Sequence, residues 1–373
     1  MHRNKYLKEI KEAFELHKVC AILGPRQCGK TTLAKQYAKD LRNVHFFDLE
    51  NPQDVDILAN PSLAFAPLEG LIVIDEIQRR PELFAYLRYL VDSSDKKFLI
   101  LGSASQDLIQ QSSETLAGRI AYLELPPFQL DEIDDLNKHW IRGGFPISFL
   151  AMTDTQSEKW RVNYIKTFLE RDLSQMGFQI APQNMRRLWN MLAHYHGQIA
   201  NLSELSRSLD MTDKTIKKYM DILEGCFMIR QLKPWHENLS KRQVKRPKLY
   251  IRDSGILHSL LGVQDINTHP KCGASWEGYA LETIIHLFDQ DLCEVYFWAT
   301  EKGAELDLLI LKGDQRFGFE FKYSEAPKTT KSMHIALEDL KLDFLTVVAP
   351  VKRSYQLTEN IYVKNLWDAI PIC

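Results

Sequence analysis

Apolar positions along the first hundred residues follow two patterns. In residues 3–17, Tyr6, Leu7, Ile10, Phe14 and Leu16 recur at helical spacing, which predicts one amphipathic helix. Four short apolar runs come next: Val19–Leu23, Val44–Leu49, Leu71–Ile74 and Phe98–Leu101. Each is bounded by turn residues and separated from the next by helical or loop sequence. Near-continuous apolar runs suit strands covered on both faces, so residues 1–150 read as an α/β domain around a parallel sheet.

Beyond residue 150 the periodicity becomes helical, over Glu158–Leu173, Asn184–His196, Leu202–Leu209 and Asp213–Leu223. Strand-prone Phe227–Leu232 and Leu249–Ile251 flank a basic run, Lys241 to Lys248. The last third mixes a helix, Trp276–Phe288, with strands at Glu294–Ala299, Leu306–Leu311, Arg316–Tyr323 and Phe344–Ala349. Three units follow: 1–150, 151–240 and 241–373. No internal repeat is present.

Composition adds limits. A chain of 373 residues holds two or three domains, and 45% hydrophobic with 26% charged residues is globular usage. A formal charge of −2 gives no global case for a nucleic-acid or membrane partner, so any such case rests on local patches. Cys20, Cys28, Cys226, Cys272, Cys293 and Cys373 are scattered, which argues for a reducing compartment and against a disulfide framework or a Cys-ligated zinc. The N-terminal MHRNKYLKEIKEAF lacks a signal peptide's apolar core, and no run approaches the ~20 apolar residues of a bilayer span. The expectation is a cytoplasmic protein with no membrane partner.

The candidate chemistry begins at Gly24-Pro25-Arg26-Gln27-Cys28-Gly29-Lys30-Thr31, which matches G-x-x-x-x-G-K-[ST] between an apolar strand and a helix opening at Thr32. Glycines there let backbone N–H groups wrap phosphates, and the helix N-terminus adds its dipole. Lys30 is expected to reach the β/γ-phosphates of ATP, and the Thr31 hydroxyl to ligate Mg2+. Leu71–Ile74 ends in Asp75-Glu76: Asp75 is expected to hold Mg2+ through water, and Glu76 to polarise the attacking water. Ser103, after Phe98–Leu101, is placed to sense the γ-phosphate, although a simple turn has the same signature. Arg119 is a candidate arginine finger, in cis or across a subunit contact, or an ordinary surface arginine.

GPRQCGKTTL, LIVIDEIQRRPELF, LILGSASQDL and ETLAGRIAYLELPPF resemble the prokaryotic AAA+-type P-loop ATPases that carry a C-terminal domain of unknown function. Gly143–Pro146 (GGFP), Glu170–Leu173 (ERDL) and Lys248–Ile256 (KLYIRDSGI) fit as well, so the likeness runs through nearly the whole chain. The resemblance implies an AAA+-like ATPase domain followed by a winged-helix region and a PD-(D/E)xK nuclease-like α/β domain. Two departures stand out: Cys28 replaces a frequent aliphatic residue, and the second arginine sensor has only Arg142 and Arg171 as candidates.

Residues 201–220 read as two helices joined by a short turn, with Leu202, Leu205, Leu209, Ile216, Tyr219 and Met220 facing a core and Thr212 capping the second helix. That helix exposes Lys214, Lys217 and Lys218, which suit DNA phosphates or plain solvation, and the basic run 241–248 suits a wing or backbone clamp. Further on, Gly313-Asp314 forms a two-residue hairpin turn, which sets Asp307 opposite Glu320 and puts Glu320 and Lys322 on its face. Leu306, Leu308, Phe319 and Phe321 fall on the other face. An Asp opposite Glu-x-Lys resembles a nuclease core, with Glu277 as the helix acid, Glu282 a weaker substitute, and Mg2+ on hard oxygens. An amphipathic hairpin with a cross-strand acid–lysine pair fits the same residues.

Two functions fit these residues. One is an ATPase whose nucleotide state controls a module acting on DNA or another nucleic acid. The other is a nucleotide-gated interaction protein whose nuclease-like domain binds a protein partner and cleaves nothing. Either admits an oligomer.

Overall fold

The computed structural model describes residues 3–104, 116, 118–237, 242–288 and 292–369; Ser105–Leu108 of the LILGSASQDL motif, Lys241 and Cys373 lie outside them. Five strands form the first sheet: β1 Val19–Leu23, β2 Val44–Asp48, β3 Leu71–Asp75, β4 Lys97–Gly102 and β5 Ile120–Glu124. They run parallel in the order β2-β3-β4-β1-β5. Alternate residues of β1 face opposite layers. Cys20 and Ile22 pack with Ile10, Phe14 and Leu33 of the helices Asn4–Leu16 and Lys30–Ala38, whereas Val19, Ala21 and Leu23 pack with Phe84 and Leu87 of Leu83–Ser93. Burying each such side chain contributes about 1.5–3 kcal/mol.

In the middle, the helices Asp154–Thr167, Pro182–His194, Leu202–Leu209, Asp213–Gly225 and Ser254–Leu261 surround a small antiparallel sheet. Its strands are β6 Gln198–Ile199, β7 Ile229–Leu232 and β8 Lys248–Ile251, in the order β6-β8-β7. β8, at Lys248–Ile251, thus pairs with two strands that precede residue 240. A π-helical turn, Phe168–Asp172, interrupts the first long helix before Leu173–Gln175.

The last sheet has the order β13-β14-β12-β11-β10-β9. Its strands are β9 Glu294–Ala299, β10 Glu305–Lys312, β11 Gln315–Phe321, β12 Leu345–Val348, β13 Tyr355–Thr358 and β14 Ile361–Lys364. The helix Cys272–Leu287 covers one face and Lys331–Asp339 the other. The chain between β7 and β8 docks along β9: Trp235 N donates to Phe297 O at 2.6 Å and Val244 N to Ala299 O at 3.0 Å. The described part of the basic run that suits a wing or a backbone clamp, from Arg242 on, thus lies along a sheet edge. Among the described residues, no helix is long and apolar enough to cross a membrane, and Cys20, Cys28, Cys226 and Cys272 carry free thiols.

Candidate functional site

The strand order sets the chemistry of the first unit. β4 lies between β1 and β3, so the loops after all three strands meet at the C-terminal end of the sheet. Gly24 approaches β5 so closely that a Cβ would lie 2.2 Å from Leu125 O, and Gly29 opens the helix Lys30–Ala38 at φ 106°. Gly24 has no room for a side chain, and the positive φ of Gly29 strains any residue but glycine. The Lys30 ammonium, 5% exposed, donates to Gly24 O and Pro25 O at 2.9 Å each and to Ser103 Oγ at 3.1 Å.

Acceptors and hydroxyls of the neighbouring loops complete the cluster. Thr31 Oγ1 donates to Asp75 Oδ2 at 2.6 Å, and Ser103 Oγ to Glu76 Oε1 at 3.4 Å. Burial raises the Asp75 carboxyl above its usual range, opposed by the Thr31 hydrogen bond. Glu76 takes a left-handed backbone, φ 57°, and its carboxylate accepts from Gln78 Nε2. Such a conformation costs of order 1–3 kcal/mol and concentrates at working sites. Hydroxyl and carboxylate oxygens are hard ligands, and an ammonium resting on carbonyls is a phosphate partner in waiting, so this donor set fits Mg2+ and a polyphosphate.

Arg26 leaves the loop sideways. It pairs with Glu50 and Asp172, donates to Gln175 Oε1 at 3.0 Å and lies 3.8 Å from Glu76. Arg119, in contrast, sits just before β5, at the opposite end of a parallel sheet, and is bound to Asp92 at 2.7 Å and 3.1 Å. Five residues of strand, roughly 16 Å, separate it from the phosphate end, which removes it as a finger in cis. Arg142 is buried on Asp154, Phe149 O and Ala151 O, and Arg171, mostly exposed, reaches Asp172 at 3.5 Å.

At the C-terminal hairpin, Leu308 pairs with Phe319, and one step along the ladder sets Asp307 against Glu320. Asp307 Oδ2 accepts from Phe321 N at 3.1 Å. A register shift against β9 falls between Leu306 and Leu309, so Leu306 packs with Leu309 and Leu345 while Leu308, Phe319 and Phe321 face Trp276 and Leu281. The expected common face for Leu306 and Leu308 is lost to that bulge.

A residue from outside the hairpin fills the space between the acids. The Lys248 ammonium, 3% exposed, lies 3.1 Å from Asp307, 3.7 Å from Glu277 and 3.9 Å from Glu305. Glu277 also accepts from Tyr250 OH at 2.7 Å, and Glu320 pairs with Lys322 at 3.0 Å. Burial, then the Asp307 charge, pushes Glu277 up to about 7 and Glu320 up to about 8, whereas Lys248 and Lys322 overcome burial to hold Asp307 below its usual range. Among the described residues, no three or more His, Cys, Asp and Glu side chains are arranged to hold a metal ion. Glu282 is committed elsewhere, to Arg230, Arg252 and His286. Lys214, Lys217 and Lys218 are exposed on Asp213–Gly225, and Thr212 caps that helix through Thr215 N at 3.1 Å.

Comparison with known proteins divides the chain into three. An AAA domain matches residues 16–134, a domain of unknown function (DUF8612) matches 133–267, and another (DUF4143) matches 272–369. Uncharacterized proteins of Mycobacterium tuberculosis and Mycobacterium bovis are each 44% identical over 368 residues, spanning 97% of this chain and 83% of their own length. The Walker-type ATPase of Pyrococcus abyssi shares the fold with a TM-score of 0.50 at 16% identity, over 69% of this chain and 95% of its own.

Proposed function

This chain belongs to the family of the mycobacterial proteins it matches and carries an AAA-type P-loop ATPase domain, and we propose that it binds Mg2+ and ATP at Gly24–Thr31 and hydrolyses the nucleotide with Glu76. The convergence of Lys30, Thr31, Asp75, Glu76 and Ser103 at one end of a parallel sheet carries this reading. Gly24, Pro25, Arg26, Gln27, Cys28 and Gly29 supply the loop, with Lys30 and Thr32 at the helix start. Lys30 offsets phosphate charge, Thr31 and Asp75 hold Mg2+, which neutralises charge on the phosphates, and Glu76 orients water. The test is turnover by Glu76→Gln: ATP binding is retained and the rate falls about 10²–10⁴-fold. An unchanged rate overturns the role of Glu76.

The nucleotide state is relayed, in this reading, to the two units that follow. The middle order of helix, strand, two helices and two strands supports a winged helix, and Lys214, Lys217 and Lys218 suit nucleic-acid phosphates. Their test is the salt dependence of DNA affinity; a flat dependence removes the phosphate contacts.

A second reading concerns the last unit, and Lys248 favours it. Asp307 beside Glu320 on the hairpin, below the helix acid Glu277, supports a nuclease-like fold. The residues do not fit a resident metal, because an ammonium lies among the acids that would hold it. The unit then binds a nucleic-acid or protein partner and does not cleave it. Purified protein given DNA and RNA with Mg2+ or Mn2+ is expected to leave both intact. Cleavage lost in Asp307→Ala would restore the nuclease reading.

A further inference from the structure

The three carboxylates around Arg26 come from three parts of the chain. Glu50 follows β2, Glu76 follows β3, and Asp172 ends the π-helical turn of the middle unit, 146 residues away. The Arg26 backbone is held from the same side, since Tyr164 OH donates to Arg26 O at 3.4 Å. Asp172 is 2% exposed, so its charge is kept out of water. Burying a carboxylate is costly, and an apolar side chain of similar size would stabilise the same packing at least as well. Stability alone therefore gives no reason for a carboxylate there. Single π-helical turns inside α-helices recur at functional sites, and this one sets Asp172 against the phosphate-binding loop.

We infer that Asp172 is a positioning residue for ATP hydrolysis: it fixes the Arg26 guanidinium, which in turn holds the Glu76 carboxylate where the attacking water is oriented. The proposal rests on the ATPase reading above. Arg26 suits the task because a planar guanidinium presents several donors in fixed directions, so one fork contacts Asp172, Gln175 and Glu50 while its Nε side faces Glu76. With Asp172 neutral, the fork loses one anchor and Glu76 its fixed neighbour. The middle unit thereby gains a direct hold on hydrolysis, and movement of Phe168–Asp172 away from the loop slows turnover without emptying the site.

The experiment is steady-state ATP hydrolysis by wild type, Asp172→Asn, Asp172→Glu and Arg26→Lys in Mg2+, with equilibrium binding of a fluorescent ATP analogue on the same samples. Asp172→Asn is expected to lower kcat at least tenfold with KM and analogue affinity within threefold, and Asp172→Glu to recover part of the loss. Arg26→Lys keeps the charge without the fork and is expected to follow Asp172→Asn. Burial raises the Asp172 carboxyl, with Arg26 and Arg171 opposing. An unchanged kcat in Asp172→Asn overturns the inference, as does a loss confined to KM and analogue affinity. Wild type that binds the analogue and hydrolyses no ATP overturns the ATPase reading instead.

Discussion

Single residues divide into those that face the phosphate end and those that neutralise one another. Ser103 is of the first kind: its hydroxyl joins the Lys30 ammonium to the Glu76 carboxylate. Ser103→Ala removes that link and is expected to lower turnover about tenfold to hundredfold, with ATP affinity little changed. An unaltered rate would leave Ser103 as a turn residue. Lys248 is of the second kind. Lys248→Ala leaves the buried Asp307 and the half-buried Glu277 without this cation, a loss of about 3–5 kcal/mol in denaturant unfolding. Lys248→Ala with wild-type stability would mean that the acids have room for another cation.

Elements show where the chain's pattern carries information and where it does not. The strand–loop–helix around Gly24–Thr31 is legible because its motif is local and its strand, β1, is buried on both faces. β5 escapes the reading although Ile120–Leu123 is apolar, because it is a half-buried edge strand whose partner, β1, lies about 100 residues back in the chain, and it is this strand that places Arg119 at the far end of the sheet from Gly24–Thr31. The hairpin's pairing follows from its turn, but the bulge that separates Leu306 from Leu308 depends on β9, which the turn says nothing about. Lys248 hides in a basic run, with its partner Asp307 lying 59 residues on, and Arg26 hides in the loop motif itself. Pairings of that span are set by packing between units and leave no local mark.

Element contacts also set a pH response. Burial holds His139 down at about 4 and His258 at about 4, and His196 at about 3 with help from the His258 charge. His139 bonds Tyr279 OH at 2.9 Å and Phe128 O at 2.8 Å, and His258 bonds Ser275 Oγ at 2.7 Å, so two of them join the middle unit to Cys272–Leu287. Below pH 6.5 the unfolded histidines take up protons that the folded ones refuse until about pH 4. Their contribution is therefore full above 6.5 and is lost as pH falls, by up to a few kcal/mol each. Thermal unfolding from pH 7.5 to 4.5 is expected to show a steeper fall in Tm for wild type than for His139→Gln. Parallel curves would contradict neutral burial of His139.

The whole molecule is arranged so that one end of the parallel sheet is watched by the rest of the chain. Tyr164 and Asp172 reach the loop from the middle unit. From β5, Glu124 meets Arg252, which also binds Glu282 of Cys272–Leu287. Burial opposes these charges, but Arg252 and its neighbours outweigh it and hold Glu124 below its usual range. This buried network ties the strand beside Gly24 to the C-terminal unit, and breaking it with Arg252→Ala is expected to lower cooperativity, so that thermal unfolding separates into two steps. A single sharp transition in that variant would mean that the units are joined chiefly by apolar packing. In the proposed function the Lys30 ammonium, now resting on Gly24 O and Pro25 O, is the phosphate-binding group. Its most direct test is calorimetric titration of wild type and Lys30→Ala with ATP and Mg2+: saturable binding to wild type, weakened at least a hundredfold in the variant, is the predicted result, and equal affinity for both would contradict it.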